Sequence, residues 1–175
     1  IKPASGYEIK KFCDQTISFF WAENFGQIYP ELHKLRDDGL IEICSDDEAE
    51  GRSRKYRLRP EGLLVLREWL RLPVEVSPLR SELLLKTVFG NLAGSDSILK
   101  EIAAAQARNT AQAALLLRME ADFLANGPAK RDKSYPYWLA ALRYGIQGAQ
   151  MTIKWCEETI ADIQNFERIP KEPAK

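Results

Sequence analysis

The sequence predicts a mainly α-helical chain in two parts, a small helix-and-hairpin module followed by long helices. Three observations predict it. The first seventy residues read as helix, helix, two short β-rich segments around a polar loop, and helix. A proline-bounded break follows from Pro73 to Pro78. The last long segment then carries an apolar heptad from Leu142 to Ile163. These observations set the expected domains at 1–72 and 73–175.

Ser5-Gly6-Tyr7-Glu8 has the spacing of a capping box, in which a Ser hydroxyl and a Glu carboxylate each satisfy the other's backbone amide. A helix is therefore expected from about Gly6 to about Ile17, burying Ile9, Phe12 and Cys13. A second helix should begin between Asn24 and Gln27, with Pro30 confined to its first turn, where a missing amide costs little. Ile28, Leu32 and Leu35 form its inner stripe, and Tyr29, His33, Lys34 and Arg36 point away from it. Gly39 ends the helix as a C-terminal cap, with Leu40 packing behind it.

Leu40 to Cys44 and Lys55 to Leu58 are rich in β-formers and flank a polar loop, which makes a hairpin with a long, mobile tip. Its charge is polarised: Asp46, Asp47, Glu48 and Glu50 precede Arg52, Arg54, Lys55, Arg57 and Arg59. Pro60-Glu61-Gly62 opens another helix, expected to bury Leu63, Leu66, Trp69 and Leu70. This order is that of a winged helix-turn-helix whose first helix is missing from the sequence. A helix of that kind fits the major groove, and an arginine-bearing hairpin reaches phosphates or an adjacent minor groove. Patterning alone fits equally well a solvated helix face beside an ordinary charged turn, because small α+β domains share this element order.

In the second part, Ser77-Pro78 reads as the start of a short helix over Leu79 to about Phe89, stopped near Gly90. Gly94-Ser95-Asp96 opens a long helix to about Leu124, with an Ala-rich middle from Ala103 to Ala114 that lets a neighbour approach closely. Gly127-Pro128 ends it, and Ala129 to Ser134 forms a polar loop expected to be mobile. The last helix, about Tyr137 to Phe166, places Leu142, Ile146, Ala149, Ile153, Cys156, Ile160 and Ile163 at alternating spacings of 4 and 3. That is an a/d seam. Tyr144, Gly148, Met151 and Trp155 make a second stripe beside it. Two stripes need two partners, expected to be the chain's own preceding helix and the same seam of a second subunit. An internal helical hairpin with no dimer is the alternative, since a seam does not reveal whose helix fills it.

Lys plus Arg equals Asp plus Glu, 25 each, so any basic surface must be local. Three distant cysteines, Cys13, Cys44 and Cys156, suit free thiols in a reducing, cytoplasmic compartment. Neither a membrane-length apolar run nor a signal-peptide pattern is present, so no membrane partner is expected. The lone histidine, His33, has no nucleophile motif around it, clustered Cys or His ligands are absent, and there is no phosphate-binding glycine run. No catalytic residue, metal or cofactor is therefore expected, and the chain reads as a non-enzyme.

The residues also carry a resemblance. Ser5-Gly6-Tyr7-Glu8-Ile9-Lys10-Lys11, Phe20-Trp21, the run Gly26-Gln27-Ile28-Tyr29-Pro30-Glu31-Leu32-His33-Lys34-Leu35, Asp38-Gly39-Leu40-Ile41-Glu42 and Lys55-Tyr56-Arg57-Leu58-Arg59-Pro60-Glu61-Gly62 resemble the PadR family of bacterial regulators. Leu83 to Lys86 and Arg143 to Ile146 resemble, more weakly, the helical C-terminal region of its longer members. The resemblance implies a homodimeric transcription factor, usually a repressor, acting on a double-stranded DNA operator. In some members a small aromatic or hydrophobic effector releases the operator. It implies DNA contacts from Tyr29 and Lys34, beside which Gln27 and His33 lie, and from the wing residues Arg52, Arg54 and Lys55. One departure is Arg59, where the family usually has Thr; the side-chain cap of the next helix is lost, at a cost of about 1 kcal/mol.

An aromatic effector would stack on indole, which makes Trp155, then Trp138, with Met151 on the same stripe as Trp155, the candidate effector-binding residues. Core packing is the plainer role for each tryptophan, and Trp69 in particular reads as core. The alternative from another functional class is a helical protein-interaction or small-molecule sensor module that binds no DNA. The charge of the face carrying Lys34 discriminates the two.

Overall fold

The computed structural model describes residues 2–21, 25–45, 54–76, 78–126 and 132–168. It divides into two compact units, Ile1–Ser77 and Pro78–Lys175.

In the first unit, strand β1 (Ala4–Ser5) leads into helix α1 (Gly6–Thr16), followed by α2 (Phe25–Asp37), β2 (Ile41–Ser45), β3 (Lys55–Leu58) and α3 (Pro60–Trp69). The capping box at the start of α1 is formed: the Ser5 amide donates to Glu8 Oε2 at 2.7 Å, and the Glu8 amide donates to Ser5 Oγ at 3.2 Å. Helix α2 ends in a Schellman turn. Gly39 has φ +72°, its amide donates to the Arg36 carbonyl at 2.9 Å, and the Leu40 amide donates to the Leu35 carbonyl at 2.9 Å. Only glycine adopts that φ without a Cβ penalty. The unit's core is Ile28 and Leu32 of α2, Ile41 of β2 and Tyr56 of β3, with Ile9, Leu35, Ile43 and Leu58 packed around it.

Four features of this unit differ from the sequence reading. The sheet has three strands, in the order β1-β3-β2, because Ala4 and Ser5 pair antiparallel with Tyr56 and Lys55. A two-residue strand has no periodicity to detect. Pro30 lies inside α2, beyond its first turn, so the Gly26 carbonyl lacks its usual helical donor. Phe12, Trp69 and Leu70 are exposed rather than buried, with Trp69 at 62% and Leu70 at 66%. Arg36, expected to face outward, is half-buried and pairs with Asp37 at 2.6 Å. At Arg59 the cap of α3 carries no side-chain hydrogen bond, and Pro60 holds the first helical position. The hairpin tip, including Arg52, lies outside the described residues.

The second unit contains α4 (Glu82–Val88), a single 3-10 turn (Gly90–Leu92), α5 (Ser95–Asn126) and α6 (Tyr135–Arg168). The N-cap of α4 is Ser81, whose hydroxyl accepts from the Leu84 amide at 3.3 Å, so the helix begins later than expected. The expected cap Ser77 lies outside the described residues, as do Gly127, Pro128 and the loop residues 129–131. Helices α5 and α6 form an antiparallel hairpin, and Ile98, Ile102 and Ala105 of α5 pack with Cys156 of α6. Ile102 and Cys156 are fully buried, at 0% exposure. Polar bonds also join the two helices: Gln106 donates to Glu157 at 3.2 Å beside this core, and Arg143 Nε donates to Glu120 at 2.6 Å nearer the other end of the hairpin.

The apolar seam of α6 is thus already filled within one chain. Leu142, Ile146, Ala149 and Cys156 are buried, Ile153, Ile160 and Ile163 are half-buried, and Ile160 and Ile163 pack on the α5–α6 cluster. Within one chain α5 is the partner of the buried part of this stripe, which was expected to pair two subunits. The stripe beside it is the one left open. Tyr144 is 74% and Met151 68% exposed, and a Cβ at Gly148 would meet nothing within 4 Å.

Candidate nucleic-acid interface

Helix α2 is held by one face and exposed on the other. Ile28 and Leu32 anchor it in the core, while Gln27, His33 and Lys34 project from the opposite side and are exposed. Their positions follow from the 100° step of an α-helix, which separates residues 27, 33 and 34 from the 28-32-35 stripe. Tyr29 sits at the flank of this face, 37% exposed. Its ring lies over the start of α1, where a Cβ at Gly6 would come within 2.8 Å of Tyr29 Cε1. Gly6 therefore makes room for the tyrosine, and Tyr29 is an edge residue of the face rather than its centre.

The stem of the hairpin is less cationic than its sequence. Arg57 on β3 pairs with Glu42 on β2 at 2.8 Å, its directly opposed residue in the strand register. Arg59 lies 3.4 Å from Glu61, and Lys55 Nζ lies 3.9 Å from Glu8 Oε1 of α1. Arg54 is half-buried. Each pair is partly exposed and worth little for stability. Together, however, they offset part of the positive charge that the stem presents to a polyanion. The Ser5 amide, and less strongly the Ser5 hydroxyl, hold the Glu8 carboxyl below the usual carboxylate range, and the Lys55 charge adds a smaller pull in the same direction. Glu8 escaped the sequence reading as part of this surface. Its capping role was visible in the Ser-x-x-Glu spacing, but its place beside the hairpin depends on β1 pairing with β3.

The residues expected to bind an effector are not brought together. Trp155 is half-buried and packs on the α5–α6 core, while Met151, one turn away, is exposed. Trp138 lies 17 residues before Trp155 on the same helix, about 25 Å along its axis. The second unit does contain an open cleft of about 970 Å³, at the junction of the 3-10 turn, the start of α5 and the end of α6. It is walled by Ile98, Ile163 and Phe166, with Asp162 and Glu167 at its rim, and none of the three residues lines it. Among the described residues, no three metal-capable side chains converge, and no helix is long and apolar enough to cross a membrane.

This arrangement, a three-stranded winged helix followed by a long helical hairpin, has counterparts among known proteins. Residues 1–68 match the transcriptional regulator PadR-like family, and residues 79–164 match the virulence activator alpha C-terminal family. Residues 1–68 thus form a PadR-like domain. Among curated proteins it is similar to the negative transcriptional regulator PadR of Bacillus subtilis, 36% identical over 67 residues, a match spanning 38% of this chain and 37% of that protein. Among solved structures, the PadR-like regulator BC1756 of Bacillus cereus superposes with TM-score 0.77 at 24% identity, covering 94% of this chain and 92% of that one. The Vibrio cholerae virulence activator AphA gives 0.76 at 25% identity, over 94% and 92%. Bacillus subtilis PadR in complex with operator DNA gives 0.74 at 21% identity, over 91% and 89%. The same Bacillus protein has been solved with p-coumaric acid and shares the fold at TM-score 0.72 and 22% identity, over 93% and 91%. Residues 1–68 therefore match a family of transcriptional regulators, and the chain as a whole shares the fold of these solved structures.

Proposed function

We propose that this PadR-like chain is a sequence-specific DNA-binding regulator, a homodimeric repressor whose operator affinity responds to a small aromatic or hydrophobic effector. Residues 1–72 would dock on the duplex, and residues 73–175 would pair two copies and receive the effector. The observation that carries the DNA reading is the α2 face, where Gln27, His33 and Lys34 stand exposed on a helix whose other side is anchored in the core. Lys34 is its central cation, with Tyr29 at the edge and Arg52 and Arg54 as wing contacts, while Lys55, expected among them, faces Glu8. The operator complex of Bacillus subtilis PadR supports this reading by its shared fold, and the p-coumaric acid complex of that protein supports the effector class.

The test is selection of bound duplexes from a random pool, followed by binding of the selected site across a salt series. Lys34→Ala is expected to make the dependence of log affinity on log salt shallower by about 0.9 for each copy that contacts the duplex. At about 0.1 M salt that corresponds to roughly eightfold weaker binding per contact. An unchanged slope would remove Lys34 from the interface. The ion-paired stem of the hairpin favours a second reading, a helical protein-interaction or sensor module, which a failure to enrich any duplex would support.

For pairing, the open stripe of α6 replaces the filled seam as the proposed contact. Met151→Glu is expected to yield monomers in sedimentation while leaving the helical content intact, because Met151 contributes little to its own chain's core. A persisting dimer would place the interface elsewhere.

A further inference from the structure

Glu8 uses its two carboxylate oxygens for different tasks. Oε2 accepts from the Ser5 amide at 2.7 Å and closes the cap of α1. Oε1 lies 3.9 Å from Lys55 Nζ at the foot of the wing. The approach is built into the backbone, since β1 pairs with β3 and sets Ser5 directly opposite Lys55. A carboxylate oriented by the cap is thereby held beside a cation that the sequence would assign to DNA.

On the reading that this unit binds DNA, we propose that Glu8 is a positioning residue that withholds Lys55 from the duplex, so that the wing lysine is electrostatically silent while Glu8 is charged. The pair is half-exposed on both sides, 49% each, so it competes with phosphate rather than excluding it. Removing the charge of Glu8 frees Lys55 for a phosphate contact and for the release of one condensed counterion. Glutamine is the informative replacement, because its side-chain oxygen still accepts from the Ser5 amide and preserves the capping box.

The experiment measures the affinity of the full chain for its selected duplex from 0.05 to 0.3 M salt, in the wild type, Glu8→Gln, Lys55→Met and the double variant, with a thermal melt of each. Glu8→Gln is expected to bind roughly eightfold more tightly at about 0.1 M salt and to steepen the salt slope by about 0.9 per contacting wing. Lys55→Met alone should leave the slope nearly unchanged, and the double variant should match it. A melt within a few degrees of the wild type shows that the cap survives. If Glu8→Gln leaves the slope unchanged, or steepens it even without Lys55, the proposal is overturned while DNA binding stands. If the wild type shows no salt-dependent binding to any duplex, the DNA reading fails and takes this proposal with it.

Discussion

Gly62→Ala is expected to lower the melting temperature of the Ile1–Ser77 unit by roughly 10 °C, a loss of about 2 kcal/mol. The glycine sits in the first turn of α3, pressed onto the backbone that leaves α2. A Cβ there would lie 2.2 Å from the Leu40 carbonyl oxygen and 2.8 Å from Leu58 Cδ1. The leucine methyl can move aside, but the carbonyl cannot move cheaply, because it accepts from the Arg59 amide at 3.0 Å and belongs to the turn that closes α2. Relieving the overlap therefore strains the backbone or weakens that bond, effects of about 1–3 kcal/mol and about 1 kcal/mol. Alanine's better helix propensity offsets about 1 kcal/mol of this. A melt followed by circular dichroism checks the outcome. An unchanged or raised midpoint would mean that α3 slides away from Leu40 without penalty. Gly62 appears in the sequence only as part of Pro-Glu-Gly, a helix-start signal, and nothing there shows what lies against it.

Ile102→Ala should destabilise the α5–α6 hairpin by about 2–5 kcal/mol, the usual cost of emptying a fully enclosed aliphatic site. Ile102 is 0% exposed and packs with Ile98, Ala105 and Cys156. Small neighbours limit how far the site can collapse: Ala105 has no χ rotamers to rearrange, and both helices exceed 30 residues, at 32 and 34. Ile102→Val, which removes one methylene, is expected to cost only about 0.5–1.5 kcal/mol. Leu115→Ala is the control, since Leu115 is 54% exposed and its loss should stay within about 0.5 kcal/mol. Urea midpoints of the three variants would check the series. Equal midpoints for Ile102→Ala and Leu115→Ala would show that the hairpin interior is not closely packed around Ile102.

Much of the Ile1–Ser77 unit was legible from short-range chemistry. The Ser5–Glu8 box started α1 where it was expected, and Gly39 ended α2 in the left-handed conformation that its position behind Leu35 required. The inner stripe of Ile28, Leu32 and Leu35 turned Gln27, His33 and Lys34 outward by geometry alone. Other features were not legible. Trp69 and Leu70 have the spacing of buried residues but are exposed, and the deeper position of Pro30 depends on where the helix begins. The ion pairs of Lys55 with Glu8 and of Arg57 with Glu42 join residues that meet only after β1, β2 and β3 align, so counting basic residues in the hairpin overstated its free charge.

The succession of helices around a hairpin, the start of α1, the end of α2 and the existence of an apolar stripe on α6 were determined by the sequence, because each arises from contacts within a few residues along the chain. Which surface covers that stripe was decided by the tertiary structure. Leu142, Ile146, Ala149 and Cys156 turn to α5, leaving Tyr144 and Met151 in the open. The physical reason is that periodicity specifies a face that must leave water but carries no information about the partner. Burial against one's own neighbouring helix and burial against another copy remove the same apolar area, and only the closed hairpin distinguishes them.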